Sequence, residues 1–211
     1  MRDFRKRESA WFRRRVLRWF EASGRVFPWR RASATKYERI VSEVLLQRTK
    51  AETVSRVFRL FVATYPTWRV LSRAPVSALR ESLRPLGIWR RRAEVLARLS
   101  MAVVLRGGRL PSTLSEAEEL PGVGQYVACA ILLFSGRGHY PLLDSNMARV
   151  LQRYLGPRKL ADIRHDPALQ AAAKCIVDTP AFINVNWAIL DLGALICRPV
   201  RPLCEVCPLV E

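Results

Sequence analysis

The chain has 211 residues, with 36 Lys and Arg against 18 Asp and Glu, giving a formal net charge of +18. Half of the residues are hydrophobic, which excludes a disordered basic tail, and the length suffices for one globular unit or two small lobes with a real core. A positive excess of this size on a folded body implies a polyanionic partner, nucleic acid first and an anionic membrane surface second. Of the 36 basic residues 31 are Arg, a bias that suits forked hydrogen bonding to phosphate and equally a GC-rich coding sequence. Met1 to Glu8 is charged with no apolar run behind it. The longest apolar stretch, Val127 to Phe134, is too short to span a bilayer, so a secreted or membrane protein is disfavoured and a cytoplasmic, nucleoid-associated one expected. Five cysteines, three of them in the last fifteen residues, read as a metal or cluster site in a reducing compartment and not as a disulfide framework.

In chain order the predicted elements are helical nearly throughout. Phe12, Val16, Leu17 and Phe20 repeat at helix spacing, with Arg13, Arg14, Arg15 and Arg18 on the remaining face. Tyr37, Ile40, Val41, Val44 and Leu45 form a second stripe, and Val54, Val57, Phe58 and Phe61 a third. Helices over 76–84 and 90–105 follow, each after a turn containing Pro or Gly. No stretch alternates with period two for long enough to make a sheet, and there is no repeat or Gly/Ser linker. The predicted fold class is all-α, with roughly ten helices.

Leu120-Pro121-Gly122-Val123-Gly124-Gln125-Tyr126 stands between two helical segments. Ser115 is the expected N-cap of the first, with Glu118 completing a capping box. Gly122 and Gly124 allow a tight turn with positive φ and a close backbone approach to a ligand. The second helix is expected to start near Gln125, so its free N–H groups and dipole face any anion in the turn. Such a hairpin grips a DNA backbone phosphate and positions the duplex without reading bases. An ordinary αα-turn is the plain alternative; the full string in a strongly basic chain favours the grip.

LPGVGQYVACAIL followed by LLDSNMARVLQRYLG resembles the helix-hairpin-helix base-excision DNA glycosylases, the superfamily of endonuclease III and the MutY-type adenine enzymes, and most nearly the Mig-type thymine–guanine mismatch glycosylases and the MutY catalytic core. FPWR at 27–30, SEVLLQRTKAETV at 42–54 and DLGALICRPVRPLCEVC at 191–207 agree in order and spacing. The resemblance runs from about residue 10 to the end. It implies two helical lobes with a DNA cleft between them. Residues 33–138 would form a six-helix lobe with the hairpin. Residues 1–32 and 139–211 would form the second, with the catalytic aspartate and the cysteine region, and Glu43 and Asp144 would face each other across the cleft.

By the same resemblance Asp144 is the catalytic carboxylate. Breaking an N-glycosidic bond gives the sugar oxocarbenium character, which a nearby carboxylate stabilises while it orients water. Read alone, an Asp before a helix is an N-cap, and the two roles are compatible. Glu43 reads alone as a solvated charge on an amphipathic helix. The resemblance makes it the acid that protonates a leaving purine, although the thymine enzymes also carry a glutamate here. Tyr126 stands where bifunctional members have a lysine that attacks C1′; a phenol forms no imine, so excision without strand cleavage is expected.

A target base must leave the stack, and something must fill the gap. Gln47 and the Ile88-Trp89 pair match the wedge and plug segments of the family, or are ordinary core and helix-end residues. Gly122, Val123, Gly124, Gln125, Arg48 and Arg91 complete the expected DNA contacts, and Arg90, Arg91 and Arg92 read as phosphate-facing or as a solvated basic face. Trp187 matches neither the adenine nor the thymine enzymes and either closes the base pocket by stacking or packs between lobes.

Cys197, Cys204 and Cys207 match three ligands of the family's [4Fe–4S] cluster, which usually takes four thiolates. The fourth is expected at position 213, beyond the last residue, Glu211. A zinc site would need His139 or His165 as its fourth ligand, and both read as structural or surface residues. Cys129 and Cys175 read as buried thiols.

The expected protein is a monomeric, monofunctional glycosylase acting on mismatched or damaged duplex DNA. Thymine or uracil opposite G is the first choice, given the short chain without the extra C-terminal domain by which MutY-type enzymes read 8-oxoguanine. Adenine opposite G or 8-oxoguanine is the second, and a non-catalytic DNA-binding module the rival from another class.

Overall fold

The computed structural model describes residues 6–157 and 160–210, so Met1–Arg5 of the charged N-terminus lie outside it. Among the described residues the regular structure is helical: α1 (Lys6–Ser23), α2 (Lys36–Leu46), α3 (Ala51–Thr64), α4 (Trp68–Arg73), α5 (Val76–Ser82), α6 (Trp89–Leu105), α7 (Leu114–Glu118), α8 (Gln125–Ser135), α9 (Ser145–Leu155), α10 (Pro167–Val177) and α11 (Phe182–Leu195). Two 3₁₀ turns, Pro28–Arg30 and Cys204–Val206, complete the set. None of these helices is long and apolar enough to cross a membrane.

The chain divides into two compact units, one of Val26–Arg137 and one of Met1–Arg25 with Gly138–Glu211. In the first, Thr35 caps α2 and Glu38 bonds back to the Thr35 N–H, a capping box that sets where the helix begins. The predicted stripe of α2 is buried, and the helix packs against α3, α6 and α8. The apolar run of α8 is buried from Val127 to Phe134 on every face, as expected of a helix surrounded by others. Phe27 stacks on Trp29, which meets Phe58 edge-on. Phe27 and Trp29 therefore pack within this unit, which begins at Val26, whereas the resemblance grouped residues 1–32 with the second lobe.

Two local expectations change. The N-cap of α7 is Thr113, whose side chain accepts from the Glu116 N–H, so Ser115 lies inside the helix. Glu116 also accepts from the Ser112 N–H at 2.9 Å, giving the T-x-x-E string the tighter end. Gly122 has a φ of 75°, but Gly124 is extended at φ −98°, so only the first glycine of the hairpin uses the left-handed region.

The second unit buries Phe12, Val16, Met147, Leu151, Leu169, Ile176, Ile189 and Leu192, each contributing about 1.5–3 kcal/mol of apolar burial. Helix α1 packs on α10 and α11, and α9 packs on the same two. A Cβ at Gly193 would stand 2.7 Å from Asn146 Cβ, so glycine is what lets α11 approach the start of α9. Asp191, fully buried, accepts from the Arg25 backbone N–H and from its Nε, both at 2.8 Å. Asn186, also fully buried, accepts from the Leu142 N–H at 2.7 Å and donates to the carbonyls of Tyr140 and Phe182. That one side chain holds the segment leading into Asp144.

Candidate functional site

Asp144 caps α9 with its own carboxylate. Oδ1 accepts from the N–H groups of Asn146 and Met147, each at 2.8 Å, and Oδ2 accepts from Asn146 Nδ2 at 2.8 Å. Burial raises its pKa, and the bonds from Met147 and Asn146, with the charge of Arg149, pull the other way. The net direction is upward. Asn146 is held in turn, because its Oδ1 accepts from Arg149 Nη2 at 2.8 Å. Arg149 also donates to the carbonyls of Gly193 and Cys197, both at 2.7 Å. Asn146 and Arg149 did not stand out in the sequence. The signal was there in D-S-N before a helix, where the third residue can close an Asx turn, and in an arginine three positions further on.

Glu43 is 3 % exposed, contrary to the reading of a solvated charge. Tyr126, in the first turn of α8, donates its hydroxyl to Glu43 Oε2 at 2.9 Å. Two candidates 83 positions apart are thus one hydrogen-bonded pair.

The hairpin turn is built by sterics at one glycine and openness at the other. A Cβ at Gly122 would stand 2.6 Å from a Val95 methyl, in addition to its positive φ. At Gly124 a Cβ would meet nothing within 4 Å, and no side chain caps α8. Val123 is buried and Gln125 half-buried. Gly122 and Gly124 are exposed, so this turn reaches the surface just ahead of the start of α8.

Gln47 ends α2, and Arg48 beyond it is exposed with φ 54°. Ile88 precedes α6 with φ 49° and is 48 % exposed. Trp89 is half-buried and carries Arg90 over its ring at 4.1 Å, while Arg91 is exposed. Arg92 is not phosphate-facing: it is 2 % exposed and donates only inward, and burial lowers its pKa. Trp187 is buried in α11.

Cys197, Cys204 and Cys207 line one cavity of about 160 Å³ with Val150, Tyr154 and Leu209. Arg153 Nη1 donates to Cys197 Sγ at 3.4 Å. Burial, and then the neighbouring thiols of Cys197 and Cys204, push the Cys207 thiol up. Among the described residues no three His, Cys, Asp or Glu side chains are grouped so as to hold a metal ion. The three thiols therefore do not fit a four-thiolate cluster by themselves, and no chemical step below runs through one. His139 is paired with Asp178 at 2.9 Å, the structural role expected of it. Cys129 is buried as expected, whereas Cys175 is only half-buried.

Among the described residues the fold is helical, with a glycine-containing hairpin turn before α8 and a half-buried carboxylate at the start of α9. Comparison with known proteins gives the family. A profile of the HhH-GPD superfamily of base excision DNA repair proteins matches residues 41–172. The thymine-DNA glycosylase of Aeropyrum pernix is 39 % identical over 202 residues, covering 93 % of this chain and 90 % of that protein. The thymine/uracil-DNA glycosylase of Pyrobaculum aerophilum is 32 % identical over 95 % of this chain and 89 % of its own. The solved structure of a thermostable thymine-DNA glycosylase superposes with a TM-score of 0.84 at 27 % identity, covering 98 % of this chain and 95 % of that one. Adenine DNA glycosylases are also similar, with this chain spanning less than three fifths of their length. The chain belongs to the HhH-GPD superfamily of base excision DNA repair proteins.

Proposed function

We propose that the chain is a monofunctional mismatch-specific DNA glycosylase, extruding thymine or uracil opposite guanine from duplex DNA and hydrolysing its N-glycosidic bond. The observation that carries this reading is the Tyr126 hydroxyl donating to buried Glu43 in the first turn after the hairpin. A lyase needs an amine there, and a phenol supports excision alone.

The proposed roles combine the family resemblance with the geometry. The exposed turn at Gly122–Gln125 takes a backbone phosphate at the N-terminus of α8. Gln47, Arg48, Ile88 and Trp89 enter the duplex where the base has left, and Arg91 meets the backbone. Asp144 acts as its anion, held in orientation by Asn146 and Met147. As the bond between C1′ and the base breaks, the base departs with the electron pair, Asp144 stabilises the cationic sugar, and water adds to C1′ as it gives up a proton to the Asp144 carboxylate. Glu43 hydrogen-bonds the departing base or supplies its proton. Trp187 is assigned to contact with the extruded base. The [4Fe–4S] cluster implied by the resemblance has no part in these steps, and iron and sulfide analysis of the purified protein tests for it.

Adenine opposite G or 8-oxoguanine is the second reading, supported by the S-E-V-L-L-Q string with its buried glutamate. Labelled duplexes bearing G·T, G·U, A·G or A·8-oxoguanine, with and without alkali, decide between them. Alkali-dependent breaks in the thymine and uracil strands are expected. Breaks confined to adenine strands would establish the second reading, breaks without alkali would overturn monofunctionality, and binding without any break would leave a non-catalytic module.

A further inference from the structure

Three consecutive arginines open α6, and they divide sharply. Arg90 and Arg91 are exposed, whereas Arg92 is 2 % exposed. Its guanidinium donates to Gly87 O, to Gln47 O, to Thr49 Oγ1 at 2.9 Å and to Val44 O at 3.4 Å. Those acceptors lie on two segments about forty residues apart in sequence, the exit from α2 and the turn into α6. One planar fork of donors therefore bonds both at once, which a single point charge does poorly.

The gripped carbonyls are placed tellingly. The residue after Gln47 is Arg48, and the residue after Gly87 is Ile88; both lie in the left-handed region, at φ 54° and 49°. For a β-branched residue such as Ile88 this conformation is a genuine outlier, and non-glycine residues stay in it only where their surroundings over-determine it. Fixing the carbonyl on the N-terminal side of each supplies that constraint. The segments so held are those assigned above to entering the duplex, with Ile88 presenting an exposed apolar side chain. Val44 O belongs to the last turn of α2, whose dipole also favours a cation there.

We propose that Arg92 is a positioning residue, tying the Gln47–Arg48 turn and Ile88 into one preformed wedge so that extrusion of a paired base depends on it while phosphate gripping does not. The assignment rests on the functional reading above and deepens it. A wedge rigid before binding does not spend binding free energy on ordering itself while it unstacks a base. An unpaired target needs less of that work.

The test compares Arg92→Lys, which keeps the charge and loses the fork, with Thr49→Val, which removes one acceptor and leaves Arg92 intact. Single-turnover excision is measured with the target opposite guanine and again opposite an abasic gap, alongside affinity for undamaged duplex and 2-aminopurine fluorescence beside the target. Arg92→Lys is expected to lose tenfold or more on the paired target and less than threefold on the gapped one. Its duplex affinity should stay within threefold and its fluorescence rise should be blunted. Thr49→Val should shift the same ratio by about threefold, and it becomes the deciding variant if Arg92→Lys does not fold. Equal losses on the two substrates, or no loss on either, would overturn the proposal. Gln47→Ala and Ile88→Ala separate the two levels. A selective loss there without one at Arg92 sinks the positioning role alone, and no selective loss at either position sinks the wedge reading and this role with it.

Discussion

Helices α8 and α9 both begin at the residues that matter most, and they treat their N-termini in opposite ways. Every helix starts with N–H groups that lack partners within it. At α9 the Asp144 carboxylate takes two of them, and Asn146 fills the other oxygen. At α8 the cap is a glycine and no side chain intervenes. The start of a helix is thus capped by a carboxylate in one unit and by a glycine in the other. Under the proposed function, a group that stabilises charge at a defined atom gains from being held still, whereas a phosphate grip gains from a helix start that no side chain covers.

The largest effect should come from Asp144→Asn, which breaks the chemistry while keeping the cap. Excision should fall by about 10³-fold, measured in single turnover, with the fold intact because asparagine caps as well as aspartate. Stability should move the other way. The folded-state pKa of Asp144 is raised above that of the unfolded chain, chiefly by burial. Its contribution to stability is therefore full below the unfolded value and is lost as pH rises through the folded value. Because burial disfavours the charged form of this carboxyl, Asp144→Asn should melt no lower than wild type at pH 7. Melting several degrees lower at pH 7 would contradict this. The acid limb of the excision profile should likewise lie above the pH expected of an ordinary aspartate.

Next in size is Gly122→Ala, which meets both a positive φ and the Val95 methyls. A loss of about 1–3 kcal/mol in urea melts is expected, with weaker duplex binding. Tyr126→Phe removes the hydroxyl that reaches Glu43 and should slow excision about tenfold, with a stability loss of about 1–3 kcal/mol for taking one donor from a buried carboxyl oxygen. Smallest is Gly124→Ala. Its Cβ meets nothing in the free protein, so stability should change by no more than about 1 kcal/mol. Duplex affinity, read by fluorescence anisotropy, should fall more than stability does, because the added methyl stands in the exposed turn proposed to take the phosphate. Equal losses at Gly122 and Gly124 in both assays would erase the distinction between building the turn and leaving it open.

Much of this was legible without coordinates because it is local. The stripes of α1 to α3, the hairpin string and an aspartate at a helix start are short-range patterns that recur wherever the backbone repeats. What escaped was set by distant segments. Thr113 and Ser115 are both good caps, and the choice between them follows from the Glu116 bonds to Ser112 and Thr113. Glu43 looks like a surface charge on a helical wheel and is buried with Tyr126 donating to it from α8. Arg149 serves Asn146, Gly193 and Cys197 together, a role visible only once α9 and α11 are packed.

The sequence by itself determined a basic, helical chain with a glycine-containing turn between two helices and an aspartate before a third, and its resemblance to a family marked Asp144 and Tyr126 as candidates. The first are properties of composition, periodicity and residue chemistry, which need no long-range contact to hold. Only the tertiary structure decided which of like residues do what. It put Arg92 inside and left Arg90 and Arg91 exposed, set the Val95 methyls against Gly122 and nothing against Gly124, and held the Asp144 carboxylate with Asn146 and Met147. The reason is physical. Burial and hydrogen-bond partnership depend on which backbone carbonyls and side chains arrive from elsewhere in the chain, and three adjacent arginines carry no mark of that in their own order.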